Sequence, residues 1–306
     1  MSWQAKTFHL FFRFSKWLDR NQTAEQFVES QRRFAKRASV FCRVPKHCIH
    51  EAIKIKQLPC EWMVHESARD SQNVILYFHG GAYVMGGVKT HYGIAAQLSE
   101  ATQAKVLLVD YRLAPEDPFP AALHDAMECY RYLLDQNYDA KNIVMAGDSA
   151  GGNLTLVSLL KIREEKLPMP AAGVCFSPWC DLTHSGESHI RNQQSDTMIA
   201  MRIIPQVAAM YAGKASLTDP LVSPWFADYH GMPPLYINAS SSEVLLDDAL
   251  RVAKKAQAQG VKVQLTIKEN MPHAYPGMCE VLPEAREAVN EVADFLRTNV
   301  NSFAKK

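Results

Sequence analysis

The chain has 306 residues, enough for one large α/β domain or two small ones, and 47% of them are hydrophobic, ample for a substantial core. Its 33 basic and 32 acidic side chains leave a formal net charge of +1, which offers no electrostatic footprint for nucleic acid or an anionic membrane. The 7 cysteines are scattered, odd in number and never spaced C-x-x-C, so neither a disulfide framework nor a zinc ribbon is indicated.

Phe8 to Leu18 is rich in aromatics, but Arg13 and Lys16 interrupt it. It is too short and too charged to span a bilayer, and no small-residue cleavage site follows. The expectation is an amphipathic helix packed on the protein itself, with contact to a membrane surface the less favoured reading. Reduced thiols and the lack of an export signal favour a cytoplasmic location. Residues 1–45 as a whole read as helical, with Phe8, Phe11, Phe12, Trp17, Leu18, Phe27, Phe34 and Val40 at roughly helical spacing.

From Cys48 the period changes to two, predicting an antiparallel strand pair around a turn at Leu58-Pro59. Asn73 to Phe78 is a short continuous apolar run, as a strand buried on both faces requires. It ends in His79-Gly80-Gly81-Ala82-Tyr83. A glycine-rich loop directly after a central strand can turn the N–H groups of Gly80, Gly81 or Ala82 into a cleft. A helix near Tyr92 to Thr102, a strand from Val106 to Tyr111 and a helix from Ala121 to Gln136 follow.

Ile143 to Asp148 then runs into Ser149-Ala150-Gly151-Gly152 and a second apolar run. This reads as strand, tight turn and helix, and Gly147 to Gly151 fit G-x-S-x-G. So sharp a bend brings the residues two before and two after the serine together, where a Cβ would collide. Ser149 is therefore the candidate nucleophile, and the N–H of Ala150 can face a developing oxyanion.

Ala172 to Phe176 is another strand, closed by Ser177-Pro178-Trp179. From His184 to Asp219 the alternation lapses. Met198, Ile199, Met201, Ile203, Ile204, Val207, Met210 and Tyr211 predict a helical apolar surface, part of a lid over the site. The strand Leu235 to Ala239, a helix from Val244 to Gln259, the strand Val261 to Ile267 and a helix from Pro283 to Val300 complete the chain. The order predicts a mostly parallel sheet with helices on both faces.

A serine needs a histidine to take its proton, and the histidine needs an acid to fix its tautomer. In the chain order Ser, acid, His, Glu243 and His273 complete the set, each in a loop after a strand. Asp247 and Asp248 lie one turn further on, where acids cap or solvate a helix start. Cys180, His184 and His189 crowd into ten residues, but their spacing matches no standard zinc site, and no metal is expected.

Together these segments resemble the hormone-sensitive-lipase-like branch of the α/β-hydrolase esterases. The residues that carry the likeness are His79-Gly80-Gly81, Tyr111 to Glu116, Gly147 to Gly152, Ser177-Pro178-Trp179 with Asp181-Leu182-Thr183, and Met271-Pro272-His273. The resemblance implies an α/β-hydrolase fold with a mostly parallel central sheet flanked by helices. It also implies a helical cap, made from residues 1–45 and 184–219, over a catalytic domain of residues 46–183 and 220–306. The implied activity is hydrolysis of small, short-acyl carboxylic esters by Ser149, Glu243 and His273, with Gly80, Gly81, Ala82 and Ala150 as the oxyanion hole and no cofactor. An amidase or deacetylase, or a non-catalytic small-molecule binder on the same scaffold, are the alternatives, and a homodimer is left open. Two departures stand out: Ala82 occupies a place that is often a third glycine, and Glu243 one that is often aspartate.

Overall fold

In a computed structural model, which describes residues 1–40 and 42–304, the chain forms an eight-stranded sheet covered by helices. Residue 41 of the N-terminal segment and residues 305–306 of the predicted catalytic domain lie outside the described residues. The chain opens with α1 (Trp3–Leu18) and α2 (Ala24–Ala38). Ser2 caps α1 by accepting from Ala5 N–H and also bonds Glu284 near the C-terminus. A reciprocal Thr23–Gln26 box starts α2.

β1 (Cys48–Ile55) and β2 (Leu58–His65) pair as an antiparallel hairpin with Ile55 opposite Leu58. The turn is thus Lys56-Gln57, two residues earlier than Leu58-Pro59, because Lys56 takes the left-handed conformation (φ 55°) that a two-residue connection needs. β3 (Val74–Phe78), α3 (Tyr92–Thr102), β4 (Lys105–Val109), α4 (Ala121–Asp135), β5 (Ile143–Asp148), α5 (Ala150–Glu164) and β6 (Ala172–Phe176) follow. After them come α6 (Ser188–Arg191), α7 (Ile204–Ala212), β7 (Leu235–Ser240), α8 (Leu246–Ala258), β8 (Val263–Lys268) and α9 (Pro283–Asn299).

The strand order is β1-β2-β4-β3-β5-β6-β7-β8, parallel from β4 to β8. Parallel strands buried on both faces must feed two cores, and β3 does so. Val74, Leu76 and Phe78 enter the core shared with α4, α5 and α8, while Ile75 and Tyr77 enter the core shared with α3 and α9. Full burial of each such side chain is worth roughly 1.5–3 kcal/mol.

The stretch from 184 to 219 differs from the helical surface predicted for it. Met198 to Met201 are not helical, because the Asp196 carboxylate takes the N–H groups of Met198 and Ile199 at 2.8 and 2.9 Å. A side-chain acceptor at that place offers the backbone an alternative to the helix ladder. Helix resumes only at α7. The stretch is tied to α1 through Lys16 Nζ on the carbonyls of Gln193 and Asp196 and through His9 on Thr197 Oγ1.

Candidate active site

Ser149 stands between β5 and α5 with φ 55° and ψ −117°, a backbone conformation that an ordinary residue avoids. Three backbone bonds hold it there: its N–H donates to Phe176 O, and its carbonyl accepts from Asn153 and Trp179 N–H. The flanking glycines have the mechanical reason the motif demands. A Cβ on Gly147 would strike the Gly151 carbonyl, and one on Gly151 the carbonyl oxygen of Phe78. Only bare backbone lets the first turn of α5 approach β3 so closely.

The loop after β3 lies beside this elbow. The His79 ring stacks on Tyr111 at 4.2 Å, and Tyr111 donates its hydroxyl to His79 O at 2.6 Å. Burial, then the neighbouring His91, pulls the His79 pKa down to about 4, so its ring is neutral. Gly81 (φ 127°), Ala82 (φ 52°) and Tyr83 (φ 64°) form three consecutive left-handed residues. Among the described residues no hydrogen bond takes the N–H of Gly81 or Ala82, and Ala150 is the first residue of α5, whose N–H has no partner within the helix. Gly80 stands apart from the other loop residues of the expected donor set. Its N–H is committed to Asp148 Oδ1 at 3.1 Å and it does not line the cavity that holds Ser149.

That cavity measures about 420 Å³. Ser149, His273, Gly81, Ala82 and Asp148 form its floor, and Phe12, Phe27 and Phe34 from the N-terminal helices, with Ile199, Ile203 and Val207, form much of its wall. Glu243 lies behind His273, fully buried. Its Oε2 accepts from His273 Nδ1 at 2.5 Å, and its Oε1 accepts from Ser240 N–H at 2.6 Å and Ser177 Oγ at 3.0 Å. With Nδ1 so engaged, Nε2 is the ring nitrogen left open, and His273 and Ser149 line the same cavity. Burial works against protonating His273, but the Glu243 bond and charge, aided by Asp196 and Asp148, outweigh it and raise the pKa above 6.5.

Several participants were not legible in the chain. Ser177 binds Glu243 and also accepts from Ala274 N–H at 3.1 Å, so it spans the loops carrying acid and histidine. Asn192 donates to the carbonyls of Ser241 and Glu243, and Asp196 accepts from Val244 N–H. Asp148 is buried and receives Tyr77 OH at 2.8 Å and Gly80 N–H, with His91 Nε2 at 3.3 Å. Burial raises its pKa, but His91, Tyr77 and His79 overcome that and leave it lowered. The advance signals were that Ser177 follows a strand at the catalytic edge, that Asp148 adjoins the serine, and that both fall in segments carrying the family likeness, none of which specifies their partners.

Asp247 and Asp248 do start a helix, yet Asp248 is not solvated. It is buried, receives the N–H groups of Cys180 and Asp181 at 2.7 and 2.8 Å, and pairs with His189 Nε2 at 2.7 Å. The first turn of α8 faces the 180–189 loop, which is why its acid is spent on that loop's backbone. His189 is thereby engaged by a carboxylate, while His184 stacks on Trp179. Among the described residues no three ligand-bearing side chains gather as a metal site would require.

The comparisons with known proteins point the same way. A family model described as alpha/beta hydrolase fold matches residues 75–277. An acetyl-hydrolase of Streptomyces hygroscopicus is 36% identical over 248 residues, 81% of this chain and 82% of that protein. An esterase of Acinetobacter venetianus is 36% identical over 72% of this chain and 74% of its own length. The crystal structure of an esterase from the bacterial hormone-sensitive lipase family superimposes with a TM-score of 0.91 at 35% identity, covering 98% of this chain and 99% of that one. With the sheet order, the serine elbow and these likenesses in hand, the chain belongs to the α/β-hydrolase family, in its hormone-sensitive-lipase-like esterase branch.

Proposed function

We propose that this protein hydrolyses small, short-acyl carboxylic esters through an acyl-enzyme, with Ser149 as nucleophile, His273 as general base and acid, and Glu243 as the carboxylate that orients it. The observation that carries this reading is the 2.5 Å bond from His273 Nδ1 to a buried Glu243 beside a serine held at φ 55°. The Glu243 carboxylate fixes the tautomer that leaves Nε2 free to accept, and it stabilises the imidazolium once formed.

Ser149 Oγ attacks the ester carbonyl as His273 takes its proton. The oxyanion accepts N–H groups from Gly81, Ala82 and Ala150, fixed donors that do not titrate and are worth ~10²- to 10³-fold each in rate. Protonated His273 then gives its proton to the departing alkoxide. Water, deprotonated by the same histidine, attacks the acyl-enzyme and regenerates Ser149. The chemistry requires no metal or organic group.

A cavity of about 420 Å³ sits low in the range for small-molecule sites, roughly 300–1,000 Å³, which favours short acyl groups. Residues 1–45 and 184–219 act as the cap, since both contribute apolar wall. We place the enzyme in the cytoplasm on its thiol usage, its 7 cysteines being scattered, odd in number and never spaced C-x-x-C. The test is hydrolysis of nitrophenyl esters from acetate to long acyl chains beside the Ser149→Ala variant. Turnover of short esters that vanishes in the variant supports the reading, and a folded protein inactive across the series refutes it.

A further inference from the structure

The body-facing stripe of α1 is Ala5, His9, Phe12 and Lys16, spaced four, three and four apart, and each is spent on the protein. Ala5 is fully buried, His9 bonds Thr197 and Asn270, Phe12 lines the cavity and Lys16 bonds two carbonyls. The opposite stripe holds Trp3, Leu10, Phe14 and Trp17, exposed by 71, 69, 60 and 54%. Ten of the 15 exposed large apolar side chains among the described residues lie before residue 45. Scattered singly such residues would need no explanation, but gathered on one helix they mark an interaction surface.

Positive charge is concentrated in the same N-terminal segment of the chain. Residues 1–46 hold 10 Lys and Arg against 3 Asp and Glu, a net +7, and the rest of the chain carries −6. The overall +1 conceals this division. On α1 itself there are three cations and no acid, and Lys6 and Arg13 are exposed along the edge of the aromatic stripe. Arg20 lies over the Trp17 ring at 4.0 Å.

We propose that the outer face of α1 docks this protein in the interface of an anionic lipid surface, with the rim of the Ser149 cavity turned toward it. Trp and Phe on one face with Lys and Arg on its flanks is the pattern of a helix that lies in the headgroup region. Cations there are drawn to the negative surface of an anionic leaflet. A second copy of this chain fits the face poorly, because a two-fold contact would lay the same positive patch against itself. A polyanion without an apolar phase would leave Trp3, Leu10 and Phe14 in water. Phe11 and Phe34 line the cavity yet remain 52 and 60% exposed, so the docking face continues into the cavity wall. Delivery of esters from that surface rests on the hydrolase reading above, whereas the docking does not.

The test is sedimentation of the full chain with vesicles of phosphatidylcholine alone and of equal parts phosphatidylcholine and phosphatidylglycerol, at low and high salt. Binding to the mixed vesicles that weakens with salt is expected. Lys6→Glu with Arg13→Glu, and separately Trp3→Ser with Phe14→Ser, should each weaken it roughly tenfold or more, with the far-ultraviolet circular dichroism of the parent. Ser149→Ala should sediment as the parent does, which separates docking from catalysis. No binding to mixed vesicles, or binding unaltered in both double variants, overturns the proposal. A dimer in lipid-free ultracentrifugation that the Trp3 and Phe14 variant dissociates would assign the face to a second copy instead, and also overturns it.

Discussion

Gly80 donates its backbone N–H to Oδ1 of Asp148 at 3.1 Å. The loop that precedes the proposed oxyanion donors is thus held by the residue just before Ser149. Asp148→Ala should therefore misplace Gly81 and Ala82 relative to Ser149 and lower kcat by ~10²-fold, as loss of an oxyanion donor does. It should also destabilise the fold by about 1–3 kcal/mol, since Tyr77 OH and Gly80 N–H lose a buried acceptor. Steady-state kinetics with urea unfolding checks both, and a kcat that stays at the parent value would separate Asp148 from the site.

Glu243 and Asp247 can be told apart by substitution. Only Glu243 contacts His273, whereas Asp247 accepts from Ser188 N–H at 2.9 Å. Glu243→Ala should cut kcat by ~10²- to 10⁴-fold, and Asp247→Ala should leave it within about threefold. Equal losses would undo the assignment of the acid.

The acid limb of kcat/KM should report His273, the proposed general base, which must be neutral to accept the serine proton. Because Glu243 holds its pKa above 6.5, activity should fall as pH drops through that raised value and stay level above it. Glu243→Gln removes the charge and should move the limb to lower pH. The sign for stability is opposite: a raised folded pKa contributes stability that is full below about 6.5 and lost as pH rises through the folded value. Initial rates across pH on both proteins test the shift, and an unmoved limb in Glu243→Gln would break the link.

The glycine loop predicts an asymmetry between neighbours. At Gly81, φ is 127° and a Cβ would strike the Met85 carbonyl, so Gly81→Ala should cost more than about 2 kcal/mol and most activity. Ala82 already occupies the left-handed region at φ 52°. Ala82→Gly relieves that strain while adding freedom to the unfolded chain, so stability should change by less than about 1 kcal/mol, with the N–H retained. Thermal unfolding of the two variants gives the comparison.

Arg32 pins α2 to the loops beneath it. It donates to Val84 O at 2.6 Å, to Ala114 O at 2.7 Å and to the Glu116 carboxylate. Arg32→Met should destabilise by ~1–2 kcal/mol, discounted for partial exposure. It should raise KM more than it lowers kcat, because the wall at Phe27 and Phe34 loosens while the floor does not. A kcat loss without change in KM would count against a wall role for α2.

Ser149, Glu243 and His273 could be proposed from the sequence because each follows a strand in a chain whose strands and helices alternate. A parallel sheet puts all such loops on one edge. The hydrogen bonds that organise them were not readable. Ser177 reaches Glu243 across 66 residues and Asp148 reaches Gly80 across 68, and only the strand order β3-β5-β6-β7-β8 makes those residues neighbours. The Asp196 carboxylate similarly decided the fate of Met198 and Ile199 by capturing their N–H groups, which apolar spacing cannot register.

By itself, then, the sequence determined the elements, their alternation and the chemical types at the loop ends, because hydrophobic period and glycine placement are local properties of the chain. The tertiary structure alone decided which N–H groups of the glycine loop are committed elsewhere and which hydroxyl and backbone groups hold the Glu243 carboxylate. It also decided that Asp248 serves the 180–189 backbone, and which face of α1 is left to solvent. Each of these depends on distances between residues remote in the chain, and those distances exist only once the sheet has closed its order and the helices have packed upon it.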